Sequence, residues 1–102
     1  MELMDTNNIS GKETTINEIK RHVLLKLVEH RYWQHKHTNI NNLPKSLPSH
    51  LKNSGDVKTA IKELINKGFL ISKPTHYGLE LSLNIKMKRE IENFISQELK
   101  DS

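Results

Sequence analysis

Cysteine is absent, which excludes disulfide staples, thiolate catalysis and cysteine-ligated zinc. Aromatic residues make up only 5% of the chain, so leucine and isoleucine must carry the packing. No stretch approaches the roughly 20 consecutive apolar residues that a membrane-spanning helix needs. The opening MELMDTNNIS has acids and asparagines where a secretory signal would have a basic stretch and an apolar core. A soluble, cytoplasmic protein is therefore expected. Also missing are a glycine-rich phosphate loop, a His-Glu-x-x-His helix and any clustering of carboxylates. An enzyme is not expected, nor a cofactor, nor a small-molecule ligand. His30, His35 and His37 crowd one junction, but a metal site needs about three converging donors. Their spacing of five and two residues is not a ligand pattern. The histidines read instead as a patch that gains positive charge below about pH 6.5.

What is present suits one domain with one modest core: 102 residues, 34% of them apolar. The net charge is +4, and the pI is near 9.4. The placement of charge says more than its total. Residues 30–55 contain no acid but hold Arg31, Lys36, Lys45 and Lys52 with four histidines, and residues 64–79 repeat the bias with Lys67 and Lys73. Such regions raise the local potential and attract polyanions.

The chain is organised around residues 54–84. Asn53 and Ser54 supply helix-start chemistry, and Val57, Ala60, Ile61, Leu64 and Ile65 recur at steps of three and four, so they share one helical face. Lys58, Thr59, Lys62, Glu63 and Asn66 fall on the other. Gly68 stands where a left-handed cap is required, with Phe69 beyond it to close the cap. Phe69, Leu70 and Ile71 form a short strand candidate, and residues 73–78 a turn in which Tyr77 packs against the hairpin. Leu79, Leu81 and Leu83 then alternate with Glu80, Ser82 and Asn84, the period of a half-buried strand.

Upstream, residues 1–13 lack periodicity and are expected to be a flexible tail. Thr15-Ile16-Asn17-Glu18 matches a capping box. A first helix over about 16–33 then puts Ile16, Ile19, Val23, Leu27 and His30 on one side, widened by Leu24 and Val28. Tyr32 and Trp33 anchor its end. The connector 35–40 has room for one short strand, and Thr38 or Asn39 can cap the element after it. Ile40, Leu43, Leu47 and Leu51 mark a second helix, but Pro44 and Pro48 predict two short pieces or a break near 45–47. After Leu83, Asn84 is a candidate cap for a last helix, 85–102. Its stripe of Met87, Ile91, Phe94, Ile95 and Leu99 either closes over the first helix or pairs with a second copy.

The segments RYWQHKHTNINNLPKSLP, KELINKGFL and SKPTHYGLELSLN, in the order helix, link, helix, turn, helix, hairpin, resemble the winged helix-turn-helix superfamily over residues 15–84. They also resemble a group of small uncharacterised archaeal winged-helix proteins. The resemblance implies a mainly α fold with a small antiparallel hairpin over 14–84, an added C-terminal helix, and a transcription regulator on double-stranded DNA. The third helix would enter the major groove. By residue type, Thr59 and Asn66 suit base edges, and Lys58 and Lys62 suit phosphates. The hairpin would bring Lys73, Thr75 and His76 to the backbone, and Lys45 and Ser46 would add phosphate contacts. Asp56 opposes this reading near phosphate, although it favours a helix N-terminus. The C-terminal stripe implies a homodimer. The alternative is a protein-interaction winged helix within a larger complex. RNA binding ranks third, since no aromatic-rich sheet face is present.

Overall fold

In the computed structural model, backbone is described for residues 2–101 and side chains for residues 11–97. The chain forms α1 (Glu2–Glu29), β1 (Thr38–Asn39), three single 3₁₀ turns (Ile40–Asn42, Pro44–Ser46, Ser49–Leu51), α2 (Ser54–Asn66), β2 (Leu70–Thr75), β3 (Gly78–Leu83) and α3 (Lys88–Asp101), the last preceded by one more 3₁₀ turn. It is mostly helical with a small antiparallel sheet. The sheet has three strands in the order β1-β3-β2, one more than a hairpin alone.

α1 departs from its expected limits at both ends. Helical backbone begins at Glu2, upstream of the Thr15 box, which therefore starts nothing. The Thr15 hydroxyl instead donates to the Gly11 carbonyl one turn back. The helix stops at Glu29 rather than near Trp33. There the Arg31 amide donates to Val28 O and the Tyr32 amide to Leu27 O. Those two bonds form a Schellman closure. Arg31 takes the left-handed position at φ 60°, where glycine is usual. His30, expected on the core face, is exposed. Tyr32 and Trp33 pack, half-buried, against the core.

The second helix does not form as an α-helix. Pro44 and Pro48 lack the N–H that continuous helix needs, and the stretch breaks into three turns instead of the two pieces expected. Asn39 caps the first turn by accepting from the Asn41 amide at 2.9 Å. Leu43, Leu47 and Leu51 are still buried, each at or just after the end of one of the turns.

α2 follows its local chemistry. The Asn53 side chain accepts from the Asp56 amide at 3.1 Å. Val57, Ala60, Ile61 and Leu64 are buried against α1 and the sheet. Gly68, at φ 84°, ends the helix, with Gly68 N–H on Ile65 O and Phe69 N–H on Leu64 O.

The hairpin is longer than expected, because residues 73–75 extend β2 and only His76 and Tyr77 lie between the strands. Pro74 is tolerated because β2 is an edge strand. Tyr77 does not pack on the hairpin; it is 86% exposed. Alternation along β3 also breaks, since Ser82 is buried along with Leu81 and Leu83. Residues 32–34 close the end of β3: Leu83 N–H donates to Tyr32 O at 2.7 Å and Gln34 N–H to Leu83 O at 2.9 Å.

Asn84 caps the turn before α3 by accepting from the Lys86 amide. The apolar stripe of α3 then folds back on its own domain. Ile91 is fully buried, and Met87, Phe94 and Ile95 pack half-buried against the core, with Phe94 edge-on to Phe69 at 6.3 Å. Ile91 is therefore not available to a second copy, and the side chain of Leu99 lies outside the described residues. Among the described residues, no helix is long and apolar enough to cross a membrane.

Candidate functional site

With its apolar face docked, α2 presents Lys58, Thr59, Lys62 and Asn66 to solvent. Its acids and its lysines are treated differently. Asp56 pairs with Lys12 of α1 at 3.0 Å, and Glu63 pairs with Lys20 of α1. Both carboxylates are thus held on the flank that faces α1. Among the described residues, Lys58 and Lys62 have no ion-pair partner. The contribution of Asp56 to the outer face, which would have repelled phosphate, is offset by a neighbouring ammonium.

The three hydroxyls expected to contact nucleic acid are engaged at home. Ser46 Oγ donates to Leu43 O at 2.9 Å, Thr59 Oγ1 to Gly55 O at 3.0 Å, and Thr75 Oγ1 to Gly78 O at 2.8 Å. A short hydroxyl beside its own backbone finds a carbonyl within a few residues. None of the three therefore has its proton ready for a phosphate or a base. Thr59 also lines the groove toward α1, with Lys12, Asn17 and Glu63. Lys58, Lys62 and Asn66 remain as the open polar groups of the helix, and Lys73 and His76 as those of the hairpin.

Two groups of candidates lie in different places. Lys58 shares a concavity of about 290 Å³ with Lys52, Asn41 and the apolar side chains Ile40, Pro44, Val57 and Ile61. Lys45 and Ser46 instead line a separate concavity with Lys26 and His30, on the side of the 40–51 turns that faces the end of α1. The structure does not bring them to the Lys58 groove.

Asn39 is a residue that sequence reading assigned only as a cap. Its Oδ1 accepts from the Asn41 amide, while its Nδ2 donates to Tyr77 O at 2.8 Å and to Glu80 Oε2 at 3.1 Å. One side chain thereby ties the hairpin tip to the turn that walls the Lys58 groove. Glu80 also meets His37 Nδ1 at 3.1 Å, an acid beside a histidine that spacing along the chain did not reveal. Lys52 was visible in the acid-free run but had no assigned partner. Among the described residues, no group of three or more His, Cys, Asp or Glu is placed to hold a metal ion.

Against known proteins, the chain matches no family model, no curated protein and no solved structure.

Proposed function

We propose that the protein binds double-stranded DNA in the manner of a winged helix-turn-helix regulator. In this reading α2 lies in the major groove and the tip between β2 and β3 rests on the backbone. The observation that carries the reading is the charge segregation on α2: its acids are paired with α1, and Lys58 and Lys62 stand open on the outward side. A helix about 10–12 Å across fits a major groove about 12 Å wide. The order of elements, with a short strand before the turns and a hairpin after α2, supports the same arrangement. Lys58 and Lys62 serve as phosphate contacts, Asn66 as the base-edge candidate, and Lys73 with His76 as backbone contacts from the hairpin.

The test is a salt titration of binding to random-sequence duplex, followed by fluorescence anisotropy. Log affinity should fall linearly with log salt, because each neutralised phosphate releases counterions. Lys58→Ala with Lys62→Ala should lower affinity across all sequences and reduce the salt slope by about two, roughly one per lysine. Unchanged affinity and slope in that double variant, or no binding at low salt, would refute the reading.

The second reading, a protein-interaction subunit, draws on one observation: the groove beside Lys58 is walled by Ile40, Pro44, Val57 and Ile61. An acidic amphipathic peptide would suit that groove, with its carboxylates on Lys52 and Lys58. Lys52→Ala separates the two, because Lys52 is exposed and unused by the duplex reading, so its loss should weaken peptide docking and leave duplex binding nearly unchanged.

A further inference from the structure

We infer that the concavity between the end of α1, β1 and the 44–46 turn is a binding site for the phosphate group of a small phosphomonoester. The concavity measures about 330 Å³, and no acidic residue lines it. Its polar walls come from three elements, Lys26 at the end of α1, Thr38 of β1 and Lys45 of the turn, with His30 and Tyr32 from the segment that follows α1. This site is independent of the duplex-binding reading, since its lysines are not those of α2.

Tyr32 and Thr38 each keep a hydroxyl proton that an oxyanion can accept. Among the described residues, the Tyr32 hydroxyl has no hydrogen-bond partner, and its ring lies tilted at 37° to that of His30, with centroids 5.8 Å apart. Thr38 is only 8% exposed. Its Oγ1 accepts from Asn42 Nδ2 at 3.1 Å, which leaves its own proton to donate into the concavity. Ser46 is not a donor, because its proton is on Leu43 O. Glu29 approaches Lys26 at 3.8 Å, but both side chains are well exposed and the contact is at the limit of an ion pair. An anion in the concavity replaces it with shorter, charge-assisted bonds.

The ligand class is set by charge and size. Two lysines match a phosphomonoester, which carries a charge between about −1.5 and −2 near neutral pH and offers three acceptor oxygens. A single carboxylate would leave one ammonium uncompensated. The floor is apolar, formed by Leu27 at 1% and Leu43 at 3% exposure, and gives an organic body somewhere to rest beside the phosphate.

The experiment is an amide chemical-shift titration with sodium phosphate and with adenosine monophosphate. Sodium chloride at matched ionic strength and unphosphorylated adenosine are the controls. Saturable shifts with both phosphate probes should centre on residues 26–32 and 38–46, with neither control producing them. Lys26→Ala with Lys45→Ala should weaken both probes at least about tenfold. Lys45→Glu, on an exposed turn where folding is not at risk, should do the same. Tyr32→Phe should weaken them severalfold, and Lys58→Ala with Lys62→Ala should leave them unchanged. A response that tracks ionic strength alone would overturn the assignment. So would unchanged phosphate affinity in the Lys26/Lys45 variant, including the case where that variant loses only duplex binding.

Discussion

Replacing Glu63 with alanine removes an ion pair that joins α2 to α1. Lys20 is 5% exposed, on a stretch of α1 where Ile16, Ile19 and Val23 are also buried, and its ammonium reaches Glu63. Removing one partner of a fully buried pair costs about 3–5 kcal/mol, because the remaining charge is stranded. Here the Glu63 side chain is 49% exposed and lines an open groove with Lys20, so water can reach the stranded ammonium. That argues for a smaller loss, about 1–2 kcal/mol, near the value for a charged hydrogen bond. In a domain of this size the melting temperature should drop by roughly 4–12 °C. Lys20→Met keeps the apolar stem and removes the charge, and should stay within about 1 kcal/mol of the parent. The double variant Lys20→Met with Glu63→Ala should then match Lys20→Met alone, the non-additivity expected of two residues in contact. Urea unfolding at constant ionic strength reads all four proteins. A Glu63→Ala midpoint unchanged from the parent, or a double variant no more stable than Glu63→Ala, would refute the account.

The two Schellman closures give opposite expectations at one backbone geometry. An added Cβ at Gly68 meets no atom within 4 Å, so Gly68→Ala should lose stability only through its positive φ, by about 1 kcal/mol. Arg31→Gly relieves the same conformation at φ 60° and should raise the thermal midpoint, or at least not lower it. The pKa of His22 is lowered from 6.5, chiefly by burial and then by the charges of Arg21 and His50, against a raising influence from Glu18. The folded chain therefore takes up this proton less readily than the unfolded chain. Its effect is absent above the unfolded value, near pH 6.5, and stability declines as pH falls through the folded value. His22→Gln should flatten that decline in urea midpoints compared between pH 7.5 and 5.5, and an unchanged slope would exclude the cause.

What the sequence determined by itself is chemistry that acts over three or four residues. Asn53, Val57, Ala60, Ile61, Leu64 and Gly68 set the start, buried face and end of α2, because a cap bond and a helical stripe need only local neighbours. The same reach made Asn39 and Asn84 legible as caps and the prolines as breaks in the 40–51 stretch. Tertiary structure alone decided which polar groups of the candidate site stay open. Lys12 meets Asp56 across 44 residues and Lys20 meets Glu63 across 43, and those pairings come from the docking of two helices rather than from spacing along either. The separation of Lys45 from Lys58, the burial of Ser82 and the return of Ile91 to its own core arise in the same way. A periodic pattern says which face of an element is apolar, and only packing says what covers it.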